Sequence, residues 1–210
     1  MKESRIVLII LAVTLAAFAM ISLINYQDDK AGDKTMPWQS YVDEQGATVA
    51  FGLTIGVSDL TDSMRRFGSE VEASLFEDEQ KNTDLEVFFP KVRVGGIDGK
   101  LILNLELNEQ VIQVLGQHIK DSAVMPSGVR KTTFEPEADA AMFNLRIHAI
   151  TFVPRADLPK EIIVQRFGEP DSIQALAGEP EYWYYPHKGL RIIVDDEAQE
   201  MLEYYNSQAN

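Results

Sequence analysis

Two short phrases occur twice in this chain at similar separations: Arg66-Phe67-Gly68 followed by Phe88-Phe89-Pro90, and Arg166-Phe167-Gly168 followed by Tyr184-Tyr185-Pro186. Self-similarity at a fixed period marks a duplicated architecture. The copies constrain the fold because each phrase has a mechanical meaning. A glycine after an apolar helix face takes the backbone conformation that ends a helix, and Pro170 bars continuation in the second copy. Consecutive aromatics are strand composition, and a proline beside them marks a strand end. Each copy therefore reads as a helix stopping at Phe-Gly, an aromatic strand stopping at Pro, and further antiparallel strands.

The flanking patterns extend both units. Val49, Phe51, Leu53 and Ile55 alternate with small or polar residues, the period of a half-buried strand. Ser58 or Asp59 caps the helix that follows, whose apolar face is Leu60, Met64 and Phe67. Residues 85–89 and 92–96 read as strands, Ile97-Asp98-Gly99-Lys100 as a tight reversal into 101–107, and Asn108 as the cap of a short helix. The stretch 121–137 reads as loop and holds the boundary between copies. Beyond it Phe143, Leu145 and Ile147 alternate as a strand. Asp157 caps a helix with Pro159 in its first turn, and strands follow at 181–185, 190–194 and 201–205. The expected fold is α+β: two tandem repeats, 48–125 and 126–210, each a helix plus a small antiparallel sheet, preceded by one transmembrane helix.

That helix is expected from Ile6 to Tyr26, where 21 residues carry no charge. As a helix they would span roughly 31 Å, the thickness of a bilayer core. Lys2 and Arg5 precede the segment and Asp28 and Asp29 follow it, a bias that places the remainder outside the cytoplasm. Two fates stay open: a signal-anchor retained in a bacterial inner membrane as a single pass, or a signal peptide cleaved after Ala17-Phe18-Ala19 with secretion of the rest. Residues 27–47 read as a polar tether. Trp38 and Tyr41 interrupt it, either docking on the domain or lying at the headgroup level.

The helix of the second copy with its Gly168-Glu169-Pro170 end, the aromatic Tyr182-Trp183-Tyr184 and the hairpin over 190–205 resemble the SmpA/OmlA (BamE) outer-membrane assembly lipoproteins. More broadly they resemble the β-lactamase-inhibitor-protein-like fold. The resemblance implies a helix pair before a small antiparallel sheet, a module that occurs in tandem, and a role in binding another protein. This chain lacks the lipid-attachment cysteine of the family and shows one helix per copy.

Little in the sequence specifies chemistry. The net charge is −14, with 33 acidic against 19 basic side chains and no basic stripe, which argues against nucleic acid. Cysteine is absent, which removes disulfides and thiolate catalysis. His118, His148 and His187 have no second ligand at metal spacing, and the acidic runs 77–79 and 195–197 lack the alternating ligands of a calcium loop. Gly95-Gly96 lies between strands, as a bend rather than a phosphate cradle. No catalytic constellation, cofactor or metal is expected. The aromatic strand is the informative feature. Side chains alternate across a sheet, so aligning the two prolines sets Val87 and Phe89 with Trp183 and Tyr185, and Glu86 and Phe88 with Tyr182 and Tyr184. The Glu86 register points the second set outward, making Phe88, Tyr182 and Tyr184 candidates for contacting a protein partner in the cell envelope. The other arrangement packs that face on the second repeat. Phe67, Gly68, Pro90, Asp157, Phe167, Gly168, Pro170 and Pro186 are the punctuation of the repeat. A binding or sensing site for a small molecule or cation between the repeats is the alternative function.

Overall fold

The computed structural model describes residues 36–175, 180–195 and 198–206. In chain order the elements are β1 Tyr41–Val42, β2 Thr48–Ala50, β3 Leu53–Thr54, α1 Leu60–Phe67, β4 Glu72–Glu77, β5 Thr83–Val94 and β6 Ile97–Leu105. There follow α2 Glu109–Gly116, β7 Ile119–Val124, β8 Arg130–Phe134, α3 Asp139–Met142, β9 Ile147–Pro154 and α4 Lys160–Phe167. The last strands are β10 Ser172–Gln174, β11 Glu181–Tyr185, β12 Leu190–Val194 and β13 Met201–Tyr205.

Two-residue periodicity decides how the long strands lie. In β5, Leu85, Val87, Phe89, Val92 and Val94 are buried, while Glu86 and Phe88 turn the other way and stay partly exposed. In β11, Trp183 and Tyr185 are buried and Tyr182 and Tyr184 partly exposed, the register that the prolines predict. Both strands thus direct one row of side chains to a shared core, with burial of apolar surface as the driving force. That core also takes Leu60 of α1, Val111 and Leu115 of α2, Met142 of α3, and Ile163 and Phe167 of α4.

The expected pair of small sheets is corrected. All the long strands join one antiparallel sheet of ten, in the order β10-β11-β12-β13-β9-β6-β5-β4-β8-β7, and β1-β2-β3 form a separate sheet of three. The protein is mostly β. The duplication survives inside this sheet as an approximate two-fold arrangement. The run α1-β4-β5-β6-β9 corresponds to α4-β10-β11-β12-β13, with α2, β7, β8 and α3 inserted in the first copy. Phe89 pairs with Leu101 and Leu101 with Phe152; Tyr185 pairs with Leu190 and Leu190 with Tyr204. Phe152 pairs with Leu202, and Tyr204 with Ile150, so the axis passes between β9 and β13. The copies join edge to edge, satisfying at the junction the backbone groups that two small sheets would leave exposed.

The recurring phrases occupy equivalent places. Gly68 (φ 100°) and Gly168 (φ 87°) end their helices, donating backbone N–H bonds to Met64 O and Val164 O. Phe67 meets Phe89 edge-on with ring centroids 6.0 Å apart, and Phe167 meets Tyr185 at 6.1 Å. Each helix stop is thus clamped to the inward aromatic of its strand.

Several local expectations are corrected. Val49 to Ile55 is not one strand: Phe51 (φ 54°) and Gly52 (φ 74°) form a two-residue turn between β2 and β3. The β5–β6 reversal falls at Gly95-Gly96, with Val94 opposite Ile97, so Asp98 and Gly99 lie inside β6. Gly99 is needed there because a Cβ would stand 2.5 Å from the Phe152 ring. Pro90 does not end its strand; it sits in a bulge, and β5 continues to Val94. The stretch 121–137 contains most of the β7–β8 hairpin, so the boundary expected at 125/126 falls in a turn inside the first copy, which runs on through β9. Phe143 and Leu145 precede β9 rather than belonging to it. Asp157 is exposed and does not cap α4, whose N-cap is Pro159 with no side-chain cap. Asp59 does cap α1, accepting from Asp62 N at 2.8 Å, and Asn108 caps α2.

The transmembrane and signal-anchor expectation is also corrected. No helix among the described residues is long and apolar enough to cross a membrane. The three longest have 8 residues, about 12 Å each. Residues 6–26 themselves lie outside those described.

The segment from Met36 to Ile55 packs on the helix-bearing face. Trp38 lies edge-on to Phe167 at 6.1 Å, with the Arg166 guanidinium 5.1 Å from its ring centre. Tyr204 donates from its buried hydroxyl to Pro37 O at 2.8 Å. Phe51 meets Phe152 (5.6 Å) and Tyr204 (4.9 Å), the two residues exchanged by the approximate two-fold. One ring therefore plugs the junction of the copies.

Candidate functional site

With helices and the small sheet on one face, no described element crosses the other. Register defines a row straight across this open face: Ser172, Tyr184, Arg191, Glu203, Thr151, Ile102, Phe88 and Glu72, each the cross-strand partner of the next. Phe88, Tyr182 and Tyr184 therefore share a surface. They do not form one cluster: five strand spacings separate Tyr184 from Phe88, about 24 Å.

Around Tyr182 and Tyr184 the side chains are held by one another. Arg191 donates to Glu203 from Nε at 2.7 Å and also from Nη2. This fork is charge-assisted and orients the guanidinium, whose carbon lies 5.3 Å from the Tyr182 ring centre. Tyr184 donates from its hydroxyl to Gln174 Oε1 at 3.1 Å. Tyr205 stands on the same face, and burial raises its hydroxyl pKa above the ordinary value. A shallow depression of about 450 Å³ lies over the junction of the copies, bordered by Asn104, His148, Tyr184, Arg191 and Tyr205. Sequence reasoning did not single out Arg191, Glu203 or Tyr205. The two-residue alternation of β12 and β13, strands that the expected hairpin over 190–205 already paired, is the signal that places them outward.

The first copy repeats the theme with other residues. Phe88 has Ile102 and Glu72 as neighbours, and Lys131 Nζ stands 5.8 Å from the ring centre of Phe76. Burial, then the charge of Asp84, raises the Glu86 carboxyl above the usual range, while Lys131 and a hydrogen bond from Asn104 act in the other direction. The remaining punctuation is structural. Phe67, Gly68, Phe167 and Gly168 form the clamps, Pro170 follows the α4 stop, and Pro186 opens the turn that ends at Gly189 (φ 57°). Burial, followed by Glu169 and Asp171, pushes Tyr185 up to about 12, and its hydroxyl donates to Gly168 O at 3.2 Å.

No protein-family model, curated protein or solved structure matches the chain.

The histidines stand apart. His148 borders the junction depression, His187 contacts Asp171 at 3.1 Å in an exposed turn, and His118 lies between α2 and β7. No group of three or more His, Asp or Glu side chains among the described residues converges as a cation would require. The arrangement suits recognition: rigid aromatic rings with polar tips, set in a pre-oriented charged network on an uncovered sheet.

Proposed function

We propose that this chain is a non-catalytic, extracytoplasmic protein-binding module of the cell envelope, and that its docking surface is the open face around Tyr182, Tyr184 and Arg191. The observation that carries the reading is the aromatic and ionic row laid across an uncovered sheet by both copies. Read as a signal peptide cleaved after Ala17-Phe18-Ala19 and not as an anchor, the apolar stretch 6–26 supports the location. The likeness of 157–205 to SmpA/OmlA (BamE) lipoproteins supports the role. Replacing Tyr182→Ala together with Tyr184→Ala removes two partly exposed rings without touching the core. The double variant is expected to fold and to lose its co-purifying partner, since aromatic anchors at an interface contribute about 2–4 kcal/mol each. A folded double variant that retains the same partners refutes the surface.

A second reading is favoured by the depression over the junction, whose Arg191, His148 and Asn104 offer hydrogen bonds to a small polar molecule. It predicts a ligand-dependent rise in melting temperature. A flat response across a panel of envelope metabolites and divalent cations counts against it.

A further inference from the structure

On so acidic a chain, a place where cations outnumber carboxylates is informative. One lies at the end of the open face away from Glu86. In β5, Phe89 pairs with Leu101 and Val92 with Gly99, so Pro90 and Lys91 together stand opposite Lys100. A bulge of this kind re-aims side chains, and a proline fits it because the ladder needs no N–H there. Lys100 pairs with Val153. Arg155 follows two residues later on the same face, held by its backbone N–H bond to Asp98 O at 2.9 Å. Lys91, Lys100 and Arg155 border a depression of about 460 Å³. All three are exposed, and among the described residues none makes an ion pair. The lining's one carboxylate, Asp98, is turned to Arg93 at 3.4 Å.

We propose that this depression binds consecutive carboxylates of a short acidic peptide segment; the partner's identity as a protein rests on the reading of the open face above. Charge complementarity selects the occupant. Three cations that form no ion pair among the described residues attract anions, while the net charge of −14 repels a long polyanion lying across the rest of the surface. A short segment touches the cationic depression alone. The depression is open along the sheet and wider than a single oxyanion requires, so neighbouring carboxylates can each meet a different cation.

The test is isothermal titration of the full chain with a short oligoglutamate peptide, with oligoglutamine and inorganic phosphate in parallel. Oligoglutamate is expected to bind, more weakly as ionic strength rises, and oligoglutamine not to bind. The variant Lys91→Gln, Lys100→Gln, Arg155→Gln changes only exposed side chains and is expected to weaken binding about tenfold, the sum of three exposed charge contacts. Undiminished binding by that variant, or phosphate binding as tightly as oligoglutamate, overturns the proposal. The Tyr182→Ala, Tyr184→Ala variant separates the two readings, because it is expected to bind oligoglutamate normally. Loss of partner capture in that variant, combined with no oligoglutamate binding by the unaltered chain, refutes the depression and leaves the aromatic surface standing.

Discussion

Phe51→Ala tests whether one ring holds the two copies and the amino-terminal sheet together. Phe51 is 1% exposed and contacts both Phe152 and Tyr204 across the approximate axis. Truncating a buried phenylalanine costs about 3–5 kcal/mol. That is a large share of the 5–15 kcal/mol or so by which domains are stable. The backbone adds a second expectation. Phe51 sits at φ 54°, where a residue with a Cβ is strained by about 1–2 kcal/mol. Glycine escapes that strain but loses about 0.5–1 kcal/mol in chain entropy. Phe51→Gly should therefore be no worse than Phe51→Ala, whereas at Phe89, in extended strand, glycine should be clearly the worse replacement. Urea unfolding followed by circular dichroism and tryptophan fluorescence measures all four variants. A loss below about 1 kcal/mol for Phe51→Ala, within the range of ordinary surface changes, refutes the plug.

Glu86 has a raised carboxyl pKa, so between its ordinary and its folded value the native state holds more protons than the unfolded chain. Stability then falls as pH rises through that window. Glu86→Gln should flatten this slope and raise stability at neutral pH, as read from unfolding curves between acid and neutral conditions. Gly99→Ala should cost about 1–3 kcal/mol by driving a methyl into the Phe152 ring, while Gly116→Ala, with nothing within 4 Å of the added carbon, should be neutral or better in the same melts. Asn206 accepts from Thr48 N (2.7 Å) and donates to Ile55 O (3.2 Å). Asn206→Ala should cost about 1–3 kcal/mol by orphaning both, with faster amide exchange at Thr48 as the local signature.

What could be read from sequence was whatever is decided locally. The in–out register of β5 and β11 was legible because the described elements cover only one face of the sheet, so burial follows the two-residue period. Gly68, Gly168, Asp59 and Asn108 act within one helical turn and were legible for the same reason. Other choices depended on distant contacts. Asp98-Gly99 and Gly95-Gly96 both suit a reversal, and the Phe152 ring, packed from β9, claims Gly99 for the strand interior. Phe51 has no turn chemistry of its own, and its left-handed conformation accompanies ring contacts with Phe152 and Tyr204, both distant in sequence. All six residues of β7 are exposed, so alternation could not mark that strand. The fusion of the copies rests on the pairing of β9 with β13, which no local pattern contains. Arg191 and Glu203 come beside Tyr184 through the pairing of β11 with β12 and of β12 with β13, a register that no single strand displays by itself.

Placing a photo-crosslinking residue singly at Tyr184, at Phe88, and at Gln165 on the exposed side of α4 tests the binding surface most directly. Irradiation of intact cells is expected to give the same protein adduct from Tyr184 and Phe88 and none from Gln165. An adduct from Gln165 alone, or none from either open-face position, contradicts the account.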